Sequence, residues 1–104
     1  MEYLALQHRQ NGSVWLNLEC YVDDHGDFSI VGHDIGSDSE YEWVRIVRAR
    51  HIPQLLEALG AAPGENLMDI IRRDYLPVEG LGLERLITSN KIKNEFSNFG
   101  EFPL

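Results

Sequence analysis

A regular alternation of apolar and other residues over Val14–Val22 constrains the fold more than any other feature of the sequence. Successive side chains of a β-strand point to opposite faces, so a period of two predicts a strand with one buried face. The dipeptide Asn11-Gly12 precedes this segment and is typical of a two-residue hairpin turn. Residues 3–9 are therefore predicted to pair with residues 13–22 as a β-hairpin.

The rest of the first half also has the composition of strands. Residues 28–33 and 41–50 are rich in branched apolar residues, and segments rich in Asp, Gly and Ser separate them from their neighbours. Two further strands are therefore predicted there. Because short connections between successive strands favour antiparallel pairing, we expect a meander.

Leucine and isoleucine recur at helical spacing in the second half of the chain. They predict three helices, at residues 53–60, 65–75 and 83–89. The aromatic tail at residues 95–102 is expected to dock on the fold as a further strand. Strands followed by helices indicate a single α+β domain over residues 1–104, in which two to three helices pack on one face of an antiparallel sheet of four to five strands.

The net charge of −8 indicates which kinds of partner to expect, and the single cysteine indicates the cellular compartment. The negative charge argues against nucleic acid and anionic membrane surfaces as partners and is compatible with a basic protein. Cys20 has no second cysteine with which to form an intramolecular disulfide, and the first residues lack the apolar run of a signal peptide. We therefore expect a protein of the reducing cytoplasm.

The sequence contains no recognisable catalytic constellation, so we expect neither an enzyme nor a cofactor. The pair His33-Asp34 resembles the metal-binding pair of HD-superfamily phosphohydrolases. Those enzymes carry their ligands on helices of an all-α domain, whereas this pair ends a predicted strand. His25 is a second candidate ligand, which could meet His33 across a hairpin. A metal-dependent hydrolase with a His/Asp site is therefore kept as a minor alternative.

The distribution of charge is the strongest functional signal. No lysine or arginine occurs between Arg9 and Arg45, a stretch that holds eight acidic residues. Aromatic residues among acidic ones are typical of a protein-binding surface with a charged rim. The alternative is that these aromatic side chains cover the core and the acidic ones are solvated. The predicted partner-binding residues are Asp34, Asp38, Glu40, Tyr41, Glu42 and Trp43.

Four segments together resemble a group of small bacterial proteins, over about residues 14–75. They are VGHDIG (31–36), SEYEW (39–43), LLEALG (55–60) and GENL (64–67). Some proteins of this kind are immunity partners of polymorphic or contact-dependent growth-inhibition toxins. The resemblance implies a cytosolic, non-enzymatic inhibitor that covers the active site of a basic toxin domain, for example a nuclease. The main alternative is a small interaction domain that forms a homodimer through an exposed strand edge.

Overall fold

Five strands form one open antiparallel sheet, in which the strands follow one another in sequence order. The computed structural model describes residues 3–11, 14–36, 39–75 and 82–103. The strands are β1 (Tyr3–Asn11), β2 (Val14–Val22), β3 (Phe28–Ile35), β4 (Ser39–Val47) and β5 (Glu95–Pro103). The predicted α+β class, the meander and the strand in the aromatic tail are confirmed. Asn11 pairs with Val14, the register expected of a two-residue hairpin.

The three predicted helices are present; the first two are slightly shorter than expected, and the third has the predicted bounds. They are α1 (Ile52–Ala58), α2 (Leu67–Asp74) and α3 (Leu83–Ser89). Pro53 stands in the first turn of α1, where its missing N–H costs no helical hydrogen bond. The Asn66 side chain caps α2 by accepting the backbone N–H of Met68 at 2.9 Å. None of the described helices is both long enough and apolar enough to cross a membrane.

The helices cover one face of the sheet, which we call the covered face. Positions directly opposite in the register share a face, and the apolar positions Cys20, Ile30 and Phe28 are fully buried there. The same core includes Leu55 of α1, Ile71 of α2, and Leu83 and Ile87 of α3. The other side, the open face, carries Val31 and Val44, and neither residue belongs to this core in the described part of the chain.

β4 ends at Val47 instead of continuing to residue 50. The chain turns there into a short 3₁₀ helix, Ala49–His51, which leads directly into α1. The reason is a contact that is distant in sequence. The carboxylate of Asp27, in the turn before β3, accepts the backbone N–H of Ala49 at 2.8 Å. This hydrogen bond holds the backbone after β4 in a turn.

The Asp27 carboxylate belongs to an ion-pair network that joins the ends of β3, β4 and β5. Arg48 donates to Asp27 at 3.0 Å and also pairs with both carboxylate oxygens of Glu95. The hydrogen bond from Ala49, followed by that from Arg48, holds the pKa of Asp27 below its usual value. The hydrogen bonds from Arg48 likewise lower the pKa of Glu95.

We expect this network to make the protein lose stability in acid. A carboxyl group with a lowered folded-state pKa contributes stability that is fully present above its unfolded-state pKa and is lost as pH falls through its folded-state pKa. The urea midpoint should therefore be nearly flat above pH ~5 and should fall below pH ~4. Asp27→Asn should lower the midpoint at neutral pH and weaken its acid dependence. Asp24→Asn, which changes an exposed carboxylate of the same turn, is the control, and equal pH profiles for the two variants would contradict this prediction.

Candidate functional site

The residues predicted to form one binding surface lie on two opposite faces of the sheet. Asp34 pairs with Tyr41, and both lie on the covered face together with Trp43. Glu40 and Glu42 alternate with these residues along β4 and therefore lie on the open face. The sixth predicted residue, Asp38, lies outside the described residues. The β3–β4 hairpin thus carries two separate candidate sites.

The first site is an open groove on the covered face, where β3, β4, β5 and α3 meet. Its volume is about 460 Å³. The lining residues are Asp34, Tyr41, Trp43, Arg45, Glu84 and Phe96. The ring centroids of Tyr41 and Trp43 are 5.6 Å apart, with an interplanar angle of 30°. Phe96 is 45% exposed, which is unusual for so large an apolar side chain. The groove therefore offers aromatic surface to a ligand.

The Trp43 indole is held in a fixed position on the floor of the groove. It lies against Gly32, the residue opposite it on β3, so closely that a Cβ atom on Gly32 would stand 2.1 Å from Trp43 Cζ2. Only glycine leaves room for the ring there. The indole Nε1–H donates to Glu84 Oε1 of α3 at 3.1 Å. Packing and a hydrogen bond together fix the ring before any ligand arrives.

The positive charge of Arg45 is neutralised within the groove. Its Nε donates to Glu84 Oε2 at 2.8 Å, and its Nη1 donates to Asn94 Oδ1 at 2.8 Å. The guanidinium carbon also lies 4.6 Å from the ring centroid of Phe96, a cation–π distance. Because Glu84 balances Arg45, Asp34 is left as the acidic group at the other end of the groove.

Sequence reasoning missed Arg45, Glu84 and Phe96 as members of this site. The tail was predicted to dock, but its partner strand was not identified, and α3 had no predicted contact with β4. The pairing of Arg45 with Phe96 across β4 and β5 brings the exposed ring to the groove. The one available signal was the high content of aromatic residues in residues 95–102, which indicates a segment that packs on the fold.

The second site is a histidine–glutamate cluster on the open face, formed by His33, Glu40 and Glu42. Glu42 is directly opposite His33 in the register, and Glu40 follows on the same face of β4. Nε2 of His33 is hydrogen-bonded to Glu40 Oε1 and lies 3.5 Å from Glu42 Oε1. One ligand-type atom from each residue lies within 4.8 Å of the other two. In the described part of the chain, this is the one group of three residues that could hold a metal ion.

The two metal-binding arrangements considered from the sequence differ from this cluster. Asp34 follows His33 directly in an extended strand, so the two side chains lie on opposite faces. His25 lies in the turn before β3, whereas His33 is near the far end of that strand. The carboxylates that meet His33 come from β4 instead.

The recorded ion pairs of Glu40 and Glu42 are with His33. The ion pairs of Arg45, Arg48 and Arg73 all use acidic residues elsewhere in the fold. In the described regions no lysine or arginine pairs with Asp34, Glu40 or Glu42. Carboxylates without a lysine or arginine partner therefore stand on both faces of the hairpin in the described part of the chain.

The groove and the histidine–glutamate cluster are thus the two sides of one hairpin, β3–β4. The groove offers fixed aromatic rings, and the cluster offers converging nitrogen and oxygen ligands. Neither a protein-family model nor a curated protein nor a solved structure matches the chain significantly.

Proposed function

We propose that this protein is a non-enzymatic immunity or inhibitor protein that binds a basic toxin domain through the groove on the covered face. The observation that carries the proposal is the groove itself, in which the exposed ring of Phe96 and the partly exposed rings of Tyr41 and Trp43 line one surface with the carboxylate of Asp34. The motif resemblance to immunity proteins supplies the class of partner.

The aromatic lining has the properties of a binding hot spot. Tryptophan and tyrosine are enriched among the few residues that carry most of an interface's binding energy. Gly32 and Glu84 already fix the Trp43 ring, so a partner that packs on it does not have to immobilise it. A preorganised surface loses less conformational entropy on binding, and more of the contact energy appears as affinity.

The charge distribution favours a basic partner. The chain has a net charge of −8. Asp34 in the groove, and Glu40 and Glu42 on the opposite face of the same hairpin, have no lysine or arginine partner among the described residues. A field of one sign accelerates encounter with an oppositely charged protein. Nuclease toxins bind phosphates and are therefore basic around their active sites. Carboxylates can occupy such a site in place of phosphates.

We expect Tyr41→Ala to weaken binding of the partner by at least ~30-fold, which corresponds to ~2 kcal/mol. The partner is first captured from the source organism on immobilised protein at low and then high salt, and the affinity is measured by calorimetry. Tyr3→Ala is the matched control, because Tyr3 is 58% exposed and lies on the open face of β1. The double variant Glu40→Gln/Glu42→Gln should mainly slow association, and this effect should disappear at high salt.

Capture alone does not establish immunity, so the partner must also be tested for toxicity. Expression of the captured protein alone should stop growth, and co-expression of the wild-type chain should restore it. The Tyr41→Ala variant should restore growth less well than Tyr3→Ala. A captured protein that is harmless, or equal rescue by both variants, would refute the proposal.

The open edges of the sheet favour a second candidate function, self-association. Within the described ranges, β1 and β5 each pair with one neighbouring strand, and each is nine residues long. Unpaired strand edges are templates for pairing with another chain. Size-exclusion mass measured over a range of concentrations separates the two candidates. A tight dimer at every concentration would favour strand-edge assembly.

A further inference from the structure

We propose that His33, Glu40 and Glu42 form a binding site for a divalent transition-metal ion, with Zn²⁺ as the best-fitting occupant, on the open face of the β3–β4 hairpin. This site goes beyond the proposed function, because it lies on the opposite side of the sheet from the groove. It also differs from a His33-Asp34 pair, since Asp34 faces the groove.

The ligand atoms already converge at nearly the spacing that a metal ion requires. Zinc lies ~2.1 Å from nitrogen and oxygen ligands, so two ligands of a tetrahedral site are ~3.4 Å apart. Nε2 of His33 lies 3.5 Å from Glu42 Oε1, and one ligand atom from each of the three residues lies within 4.8 Å of the others. Small rotations of partly exposed glutamate side chains can close the remaining difference.

The backbone that carries these ligands is well supported. β3 and β4 are inner strands of the sheet, and each is hydrogen-bonded on both sides. Glu40 and Glu42 are separated by one residue and share a face, while His33 stands directly across from Glu42. Ligands on paired inner strands are positioned more accurately than ligands on loops.

The electrostatics of the cluster also favour a cation. Two carboxylates meet around one imidazole ring, and in the described regions neither has a lysine or arginine partner. A single imidazole N–H can donate to one carboxylate at a time, and here Nε2 is bonded to Glu40. A divalent ion would contact both carboxylates and the nitrogen together and would displace the proton at Nε2.

The donor set indicates which metals fit. One imidazole nitrogen with two carboxylate oxygens suits Zn²⁺, Co²⁺ or Mn²⁺, whereas Ca²⁺ and Mg²⁺ prefer oxygen ligands alone. Thiolate ligands, which select Cu⁺, are absent from the cluster. Three protein ligands leave a tetrahedral position for water or for a side chain of another molecule.

Calorimetric titration of the untagged protein with Zn²⁺ tests the site directly. We expect about one ion per chain, and Mg²⁺ at the same concentration should not compete. His33→Ala and Glu42→Gln should each weaken Zn²⁺ binding by at least ~10-fold. The matched controls, His25→Ala and Glu19→Gln, should leave the affinity unchanged, because neither residue belongs to the cluster. Titration with Co²⁺ should give a visible absorption band that depends on His33.

Less than half an equivalent of bound Zn²⁺, or an equal loss of affinity in His25→Ala and His33→Ala, would overturn the proposal. Circular dichroism monitors folding, and if His33→Ala is unfolded, the isosteric Glu42→Gln variant decides the outcome. The assay uses the isolated chain and needs no partner. Tyr41→Ala should bind Zn²⁺ normally, so failure of the metal site and failure of the proposed function are distinguishable.

Discussion

Phe28→Ala should lower the free energy of unfolding by about 4 kcal/mol. The Phe28 ring is fully buried at the start of β3 and belongs to the core between the sheet and the helices. Its removal loses the free energy of burying the apolar ring and leaves a cavity, which the neighbouring side chains fill only in part. Because domains of this size are stable by ~5–15 kcal/mol, the loss is a large share of the total. Urea unfolding followed by circular dichroism measures it.

Phe96→Ala is the matched control for Phe28→Ala. The Phe96 side chain is 45% exposed, and among the described side chains its ring contacts the Arg45 guanidinium. An exposed cation–π contact contributes ~0.5–1 kcal/mol, so the variant should lose no more than that. Similar losses in the two variants would show that the faces of β3 and β5 are assigned incorrectly.

Gly32→Ala should have the second largest effect, a loss of about 3 kcal/mol in the free energy of unfolding. The added Cβ would stand 2.1 Å from Trp43 Cζ2, a distance at which the atoms overlap. The indole ring must therefore move away from residue 32 of β3, and it loses its hydrogen bond to Glu84. We expect a lower urea midpoint, together with a shift in tryptophan fluorescence as the ring becomes more exposed.

Two comparisons isolate the steric cause. Gly82→Ala is the control for the glycine substitution itself, because a Cβ there would meet no atom closer than 3.8 Å and the loss should stay below ~0.5 kcal/mol. The substitution Gly32→Ala should also cost much less in a Trp43→Ala background, where no ring occupies the space. The same loss in both backgrounds would mean that Trp43 is not the cause.

The sequence pattern was sufficient to predict the strands and helices whose signals are local in the chain. The alternation along Val14–Val22 predicted both β2 and its buried side, including the position of Cys20. Leucine spacing predicted the three helices, since helical periodicity depends only on near neighbours. β4 was predicted too long because its end depends on the hydrogen bond that the Ala49 N–H donates to Asp27, about twenty residues earlier in the chain. Local propensity contains no information about such a contact.

In the candidate sites, too, the local sequence predicts some features, whereas others depend on contacts between distant segments. Because side chains alternate along a strand, the segment SEYEW already implies that Glu40 and Glu42 lie on the other face of the sheet from Tyr41 and Trp43. The prediction of a single binding surface did not take this alternation into account. The meeting of His33 with the two glutamates depends on the β3–β4 register, which depends in turn on the length and shape of the connecting turn.

The sequence by itself determined the class of fold, the order of its elements, the apolar side of β2 and the concentration of negative charge before Arg45. These properties follow from periodicity and composition, which are local or additive. Only the tertiary structure decided which side of the β3–β4 hairpin the helices cover. It also brought Glu84 and Phe96 to Trp43 and gathered His33 with its two carboxylates. Those arrangements depend on strand register and on packing between segments that are far apart in the chain. The local sequence by itself determines neither the register nor the packing.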